Sequence, residues 1–176
     1  MGAGDNEERG GAAGVRRGIS TAKEAANDQL VLAFGRLQGA ASRLEYVLGR
    51  ALEEECGISH LMFEVLLILG RAGGPGLPMG VISREQVLTS GGVTRLVDRM
   101  EAAGLVERAD DPSDRRGRLV RLTALGEQTA VRAAQVHVAN IERHFIAPLP
   151  PSHRERFMED LRTLSHAARD LLPRLP

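Results

Sequence analysis

Apolar residues recur every three or four positions through much of the chain, and the breaks in that rhythm divide it into elements. From Thr21 to Glu54, the positions Leu30, Phe34, Leu37, Ala41, Leu44 and Leu48 are spaced 4, 3, 4, 3, 4. This heptad-like seam predicts one long helix, with Arg36, Arg43 and Arg50 off the seam and in solvent. Cys56-Gly57 ends it, glycine suiting a left-handed cap. Ser59 to Leu69 is apolar around most of its circumference, which predicts a central core helix capped by Ser59. Gly70 to Pro78 reads as a loop. Beyond Thr123 the helical rhythm returns to about Phe145, breaks at Pro148 to Pro151, and resumes from Ser152 to Leu172. In that last helix Phe157, Leu161, Leu164, Ala168, Leu171 and Leu175 repeat the 4, 3, 4, 3, 4 spacing, although Pro173 should stop it before the last of them.

Two terminal helices, each with a narrow apolar seam, need cover, and a small central domain cannot supply it for both. A homodimer built from both ends of the chain is the expected solution, over packing of the two seams within one subunit. Between the seams the elements are short. Met79 to Glu85 predicts a brief helix, Val87-Leu88-Thr89 a tight connection, and Ser90 to Ala103 a second helix capped by Thr89 or Ser90. At 100° per residue, Val93, Leu96, Val97 and Met100 share the side that must be buried. Gly91, Arg95, Asp98 and Ala102 share the opposite side, flanked by Thr94 and Arg99. Gly91 and Gly92 each cost such a helix of order 1 kcal/mol relative to alanine. That cost makes sense if the helix start approaches something bulky and anionic. DNA fits, because helix N-termini attract phosphate and arginine reads guanine in the major groove.

Gly104 predicts the stop of this helix. Leu105 to Arg108 (LVER) and Arg118 to Leu122 (RLVRL) are branched enough to pair as strands around the turn-rich loop DDPSDRRG. A hairpin directly after a helix-turn-helix is a wing. From Ser113 to Arg121 four arginines face one aspartate, a local charge of +3. An arginine at the tip suits a narrow minor groove. Candidate DNA contacts are therefore Ser90, Gly91, Thr94, Arg95 and Arg99 on the helix, with Arg115, Arg116 and Arg118 on the wing.

The whole chain balances to +0, with Lys+Arg 23 and Asp+Glu 23, and all the cations except Lys23 are arginine. An average of zero leaves room for a local basic face. Aromatics at 3% disfavour base-stacking platforms for single strands or RNA. The lone Cys56 excludes an internal disulfide and a cysteine zinc cluster. No stretch near the start has a signal-peptide core, and no run approaches the ~20 apolar residues of a membrane span, so a cytoplasmic protein is expected. Residues 1–20, rich in glycine and alanine, read as a disordered tail, over a basic arm that reaches DNA through Arg16 and Arg17. Gly73-Gly-Pro-Gly76 lacks the Lys-Ser/Thr of a phosphate loop, and no nucleophile-base or paired-carboxylate arrangement emerges. Neither an enzyme nor a cofactor is expected.

The 36-residue stretch LTSGGVTRLVDRMEAAGLVERADDPSDRRGRLVRLT resembles the recognition helix and wing of the MarR family of bacterial transcriptional regulators. Asp114, Arg115, Arg116, Gly117, Leu122 and Thr123 match its wing pattern, and the resemblance extends more loosely over residues 28 to 172. It implies a triangular homodimer with helical dimerisation regions and two winged lobes on a pseudo-palindromic operator. It places Ser90, Gly91, Thr94 and Arg95 in the major groove and Arg116 at the wing tip, with Asp111 or Asp114 holding Arg95 or Arg99. Gly80, Ser83, Arg84 and Gln86 depart from the alanine and leucine the family often uses before its recognition helix. Family pockets lie between dimer helices and lobe, which makes Arg43, Tyr46, His60 and Glu64 candidate contacts for a small-molecule effector. The stretch Gly57 to Arg71 and the long N-terminal helix are similar to the urate-sensing branch, but that branch uses a tryptophan, and this chain has none.

The expected architecture is mainly α with a small two- or three-stranded β wing. Its parts are a tail (1–20), an N-terminal dimerisation helix (21–57), a winged helix-turn-helix domain (58–123) and C-terminal dimerisation helices (124–176). The expected function is a ligand-responsive repressor that binds double-stranded DNA. The alternatives are a winged-helix module for protein partners, or a redox-responsive regulator using Cys56. His137 and His144 are expected to be solvated, over a pairing across the dimer or a zinc site with Glu142.

Overall fold

A computed structural model describes residues 18–85, 90–111 and 117–171. The tail up to residue 17, the connection at 86–89, the wing tip at 112–116 and the seam positions beyond 171 lie outside the described residues. The chain divides into two compact units, Met1–Ser42 and Arg43–Pro176. In the first, none of the described residues is buried.

The expected single N-terminal helix is two. Helix α1, Ala22–Asn27, opens with a capping box in which the Thr21 side chain accepts from the Glu24 N–H and Glu24 reaches back. Asp28 then leaves helical geometry (φ −63°, ψ 130°), and its Oδ1 accepts from the N–H groups of Leu30 at 2.9 Å and Val31 at 3.1 Å. It therefore ends α1 and starts α2, Gln29–Cys56, because aspartate competes well for unsatisfied amides at a helix start. Gly57, at φ 70°, closes α2 as its sequence position predicts.

Helix α3, His60–Ala72, is capped by Ser59 and runs past Gly70 to Gly73 at φ 65°. The stretch read as loop up to Pro78 thus contains its last turn and also a short strand, β1, Leu77–Pro78. Helices α4, Met79–Glu85, and α5, Ser90–Ala102, follow, then strands β2, Val106–Asp110, and β3, Arg118–Leu122. The sheet is antiparallel in the order β1-β3-β2, with Val106 opposite Leu122 and Asp110 opposite Arg118. Strand β2 begins one residue later than LVER and reaches Asp110, because Leu105 is used to turn the chain: its N–H donates to the Met100 carbonyl at 2.9 Å.

The core lies where α3, α5 and the sheet meet. Leu52, Val65, Leu66, Ile82, Val97, Met100 and Val120 are each 0% exposed. Helix α6, Ala124–Ile141, joins it at a glycine. A Cβ on Gly126 would stand 1.9 Å from the Leu105 carbonyl oxygen, so only glycine permits this approach. Thr123 secures the same corner, its Oγ1 donating to the Gly104 carbonyl at 2.6 Å and accepting from the Gly126 N–H at 2.9 Å. A π-helical turn, Glu142–Ile146, follows α6. Pro151 starts α7, Pro151–Leu171, at the position where its missing N–H costs nothing. Phe145 contacts Phe157 of α7 with ring centroids 5.7 Å apart. No helix among the described residues is long and apolar enough to cross a membrane.

Candidate nucleic-acid interface

Helix α5 divides as its sequence demands. Val93, Leu96, Val97 and Met100 are 0–1% exposed, while Gly91, Thr94, Arg95, Asp98, Arg99 and Ala102 face solvent. The apolar side anchors the helix and leaves the other available to a partner. A Cβ on Gly91 would meet nothing within 4 Å, so the fold itself does not require glycine there. Arg95 and Arg99 form no ion pair with any described residue, and Ser90 opens the helix.

The wing base is tied to this helix by an arginine that sequence reading missed. Arg108 on β2 sends Nη2 to Asp98 Oδ1 at 2.5 Å and Nη1 to Glu101, and its backbone N–H donates to Glu101 Oε1 at 3.2 Å. The Asp98 hydrogen bond and the Glu101 charge raise the Arg108 guanidinium further above its ordinary value against the cost of burial. The resemblance implies that Asp111 or Asp114 orients Arg95 or Arg99. Asp114 lies outside the described residues, and the clasp that the described residues show runs between two α5 carboxylates and Arg108. The available signal was the i, i+3 pair Asp98 and Glu101 preceding the only arginine of LVER.

The strand register also changes the charge reading of the wing. Arg118 pairs with Asp110 at 2.5 Å and Arg121 with Glu107 at 2.6 Å, each directly across β2 and β3. Two of the four arginines behind the expected +3 are therefore balanced by acids just outside that window. Both pairs are exposed, and such pairs contribute only about 0–1 kcal/mol, so either arginine is released from its carboxylate at small cost. The Asp111 N–H donates to the Gly117 carbonyl at 3.1 Å and closes the neck of the loop. Arg115 and Arg116 lie in that loop, outside the described residues.

Of the four candidate effector contacts, the structure brings two together. His60 and Glu64, 4.0 Å apart, line a cavity of about 280 Å³ with Phe63, Arg71, Glu85 and His137. Arg43 and Tyr46 do not line it; Tyr46 is 69% exposed. His137, expected in solvent, is packed instead. Its ring centroid lies 5.4 Å from that of His60 and 5.0 Å from that of Phe63, and its Nδ1 is sealed without a hydrogen-bond partner. Burial, with His60 beside it, pushes the His137 imidazolium below the ordinary histidine value. His144 is exposed. Cys56 is half-buried against the core, and no group of three metal-ligating side chains occurs among the described residues.

Known proteins share this arrangement. The model of the MarR family matches residues 57–117, the core helix through the wing. The transcriptional regulator HosA of Escherichia coli O111:H- is 33% identical over 97 residues, which span 54% of this chain and 70% of HosA. Among solved structures, Sco3205 of Streptomyces coelicolor, a MarR family transcriptional regulator in complex with DNA, superposes with a TM-score of 0.72 at 28% identity, covering 89% of this chain and 96% of that one. AbsC of the same organism, also a MarR family regulator, superposes with a TM-score of 0.70 at 26% identity, covering 86% and 98%. The winged lobe, the exposed face of α5 and these likenesses agree: the chain belongs to the MarR family of transcriptional regulators.

Proposed function

We propose that the protein is a homodimeric repressor that binds a pseudo-palindromic duplex operator in the cytoplasm and acts by occupancy, not catalysis. The observation that carries this reading is the exposed face of α5, which presents Gly91, Arg95 and Arg99 to solvent on a helix whose other side is locked in the core. With the start of α5 in the major groove, Ser90, Gly91 and Thr94 approach the phosphates and Arg95 reads a guanine edge. Arg118 exchanges Asp110 for a phosphate, and Arg115 and Arg116 reach the adjacent minor groove. That Sco3205, a regulator of similar fold, was solved in complex with DNA supports a DNA partner.

Two lobes need a fixed spacing, and the unpartnered apolar positions of α2 and α7 supply the dimer that sets it. Leu30, Phe34 and Leu37 are 62%, 60% and 42% exposed, and Leu164 is 51% exposed. An effector held by His60 and Glu64 relieves repression by favouring a spacing that does not match successive major grooves. Footprinting on the DNA flanking the protein's own gene tests the reading, followed by affinity measurements on the protected site at two salt concentrations. A dimer contacting 6–10 phosphates loses roughly 10³–10⁵ in affinity between 50 and 200 mM salt. No footprint, or an affinity indifferent to salt, contradicts it.

A further inference from the structure

A second and larger cleft, of about 630 Å³, opens where the end of α3, strand β3 and the first half of α6 converge. Its apolar surface comes from the partly buried Leu122, Ala130 and Ala134 and the exposed Val131, while Leu66 and Leu69, at 0% and 2% exposed, offer almost none. One wall is the backbone of Gly73, Gly74 and Gly76, all at positive φ, which keeps side chains out of the opening. Three charged side chains line the cleft, Arg71, Arg121 and Glu127. Arg121 is engaged by Glu107 at 2.6 Å. Arg71 and Glu127 form no ion pair with any described residue. Arg71 stands in the last turn of α3 and Glu127 in the first turn of α6. The helix ends thus favour the sign of each charge without using its hydrogen-bonding groups.

An apolar floor with one unpaired cation and one unpaired anion at its rim is complementary to a molecule that carries both charges and an apolar body. We propose that this cleft binds a free apolar amino acid of about the size of phenylalanine, its carboxylate on Arg71, its ammonium on Glu127 and its side chain on Leu122, Ala130 and Ala134. A plain carboxylic acid engages Arg71 alone and a plain amine engages Glu127 alone, so each forgoes one charge-assisted hydrogen bond. The cleft is separate from the cavity of His60 and His137, although Arg71 touches both.

The test follows amide chemical shifts of the full chain during titration with L-phenylalanine, 3-phenylpropionate or 2-phenylethylamine. L-Phenylalanine should bind with Kd on the order of 1 mM or tighter, given its size. Each singly charged analogue should bind at least about tenfold more weakly. Arg71→Gln should weaken L-phenylalanine by about tenfold or more. Val131→Trp fills the cleft from a rim position that is 55% exposed, so the fold tolerates it, and it should abolish binding. Val131 does not line the His60 cavity, so loss in both variants assigns binding to this cleft. Absence of L-phenylalanine binding, equal binding of either analogue, or undiminished binding by Val131→Trp overturns the proposal. None of these readouts uses DNA, so they stand apart from any failure of operator binding.

Discussion

In the winged lobe Val93, Leu96, Val97 and Met100 of α5 are 0–1% exposed, whereas Leu30, Phe34 and Leu37 of α2 and Leu164 of α7 are 42–62% exposed. Both sets recur at helical spacing, and both consist of ordinary core residue types. The lobe satisfies its own apolar surface within one chain, so a single copy suffices to set the exposed face of α5. The terminal helices do not, and their stripes lose water contact only against something else. Burial at roughly 25 cal/mol per Å² makes that unmet surface a strong drive to associate. In the function proposed above the lobe carries recognition, and the ends fix where two lobes stand.

The sharpest way to break this contrast is Leu164→Arg, which should convert dimers to monomers in sedimentation while helical content is kept. A persistent dimer would remove α7 from the interface. Within the lobe, Leu96→Ala leaves a cavity in a well-packed site and should cost about 2–5 kcal/mol of unfolding free energy in urea. A cost near zero would mean that the lobe core is looser than its burial indicates. Arg108→Ala should cost about 1 kcal/mol, since the clasp is partly solvated. A double-mutant cycle with Asp98→Ala should recover most of that as coupling if the clasp joins β2 to α5. The smallest effect concerns acidity. Unfolding frees His137 from a site that lowers its proton affinity, so the unfolded chain binds more protons as pH falls through the ordinary histidine range. The stability present at neutral pH is therefore lost on acidification, and His137→Phe should flatten that slope in urea titrations between pH 7 and 5.

Local chemistry was legible where one residue decides the outcome. Gly57, Ser59 and Gly104 mark helix ends in the sequence and do so in the fold, and the two faces of α5 follow from spacing alone. Features that depend on pairing across the chain were not legible. The Arg118–Asp110 and Arg121–Glu107 rungs need the β2–β3 register, which a window of nine residues does not contain, and the Arg108 clasp needs the packing of β2 on α5. Gly126 gives no hint in a helical rhythm that it must admit the Leu105 carbonyl. The break at Asp28 was hidden because the apolar repeat begins only at Leu30 and carries no information about the residues before it. The proximity of His60 and His137 belongs to the packing of α3 on α6, 77 positions apart in sequence.

The central claim is that Arg95 reads a base and does not merely hold a phosphate. Its direct test is the affinity of wild type and Arg95→Ala for the footprinted site and for a scrambled duplex of equal length, at one salt concentration. Base reading predicts a loss of about 1–3 kcal/mol on the footprinted site and little on the scrambled one, so that discrimination between them falls. An equal loss on both duplexes would contradict it.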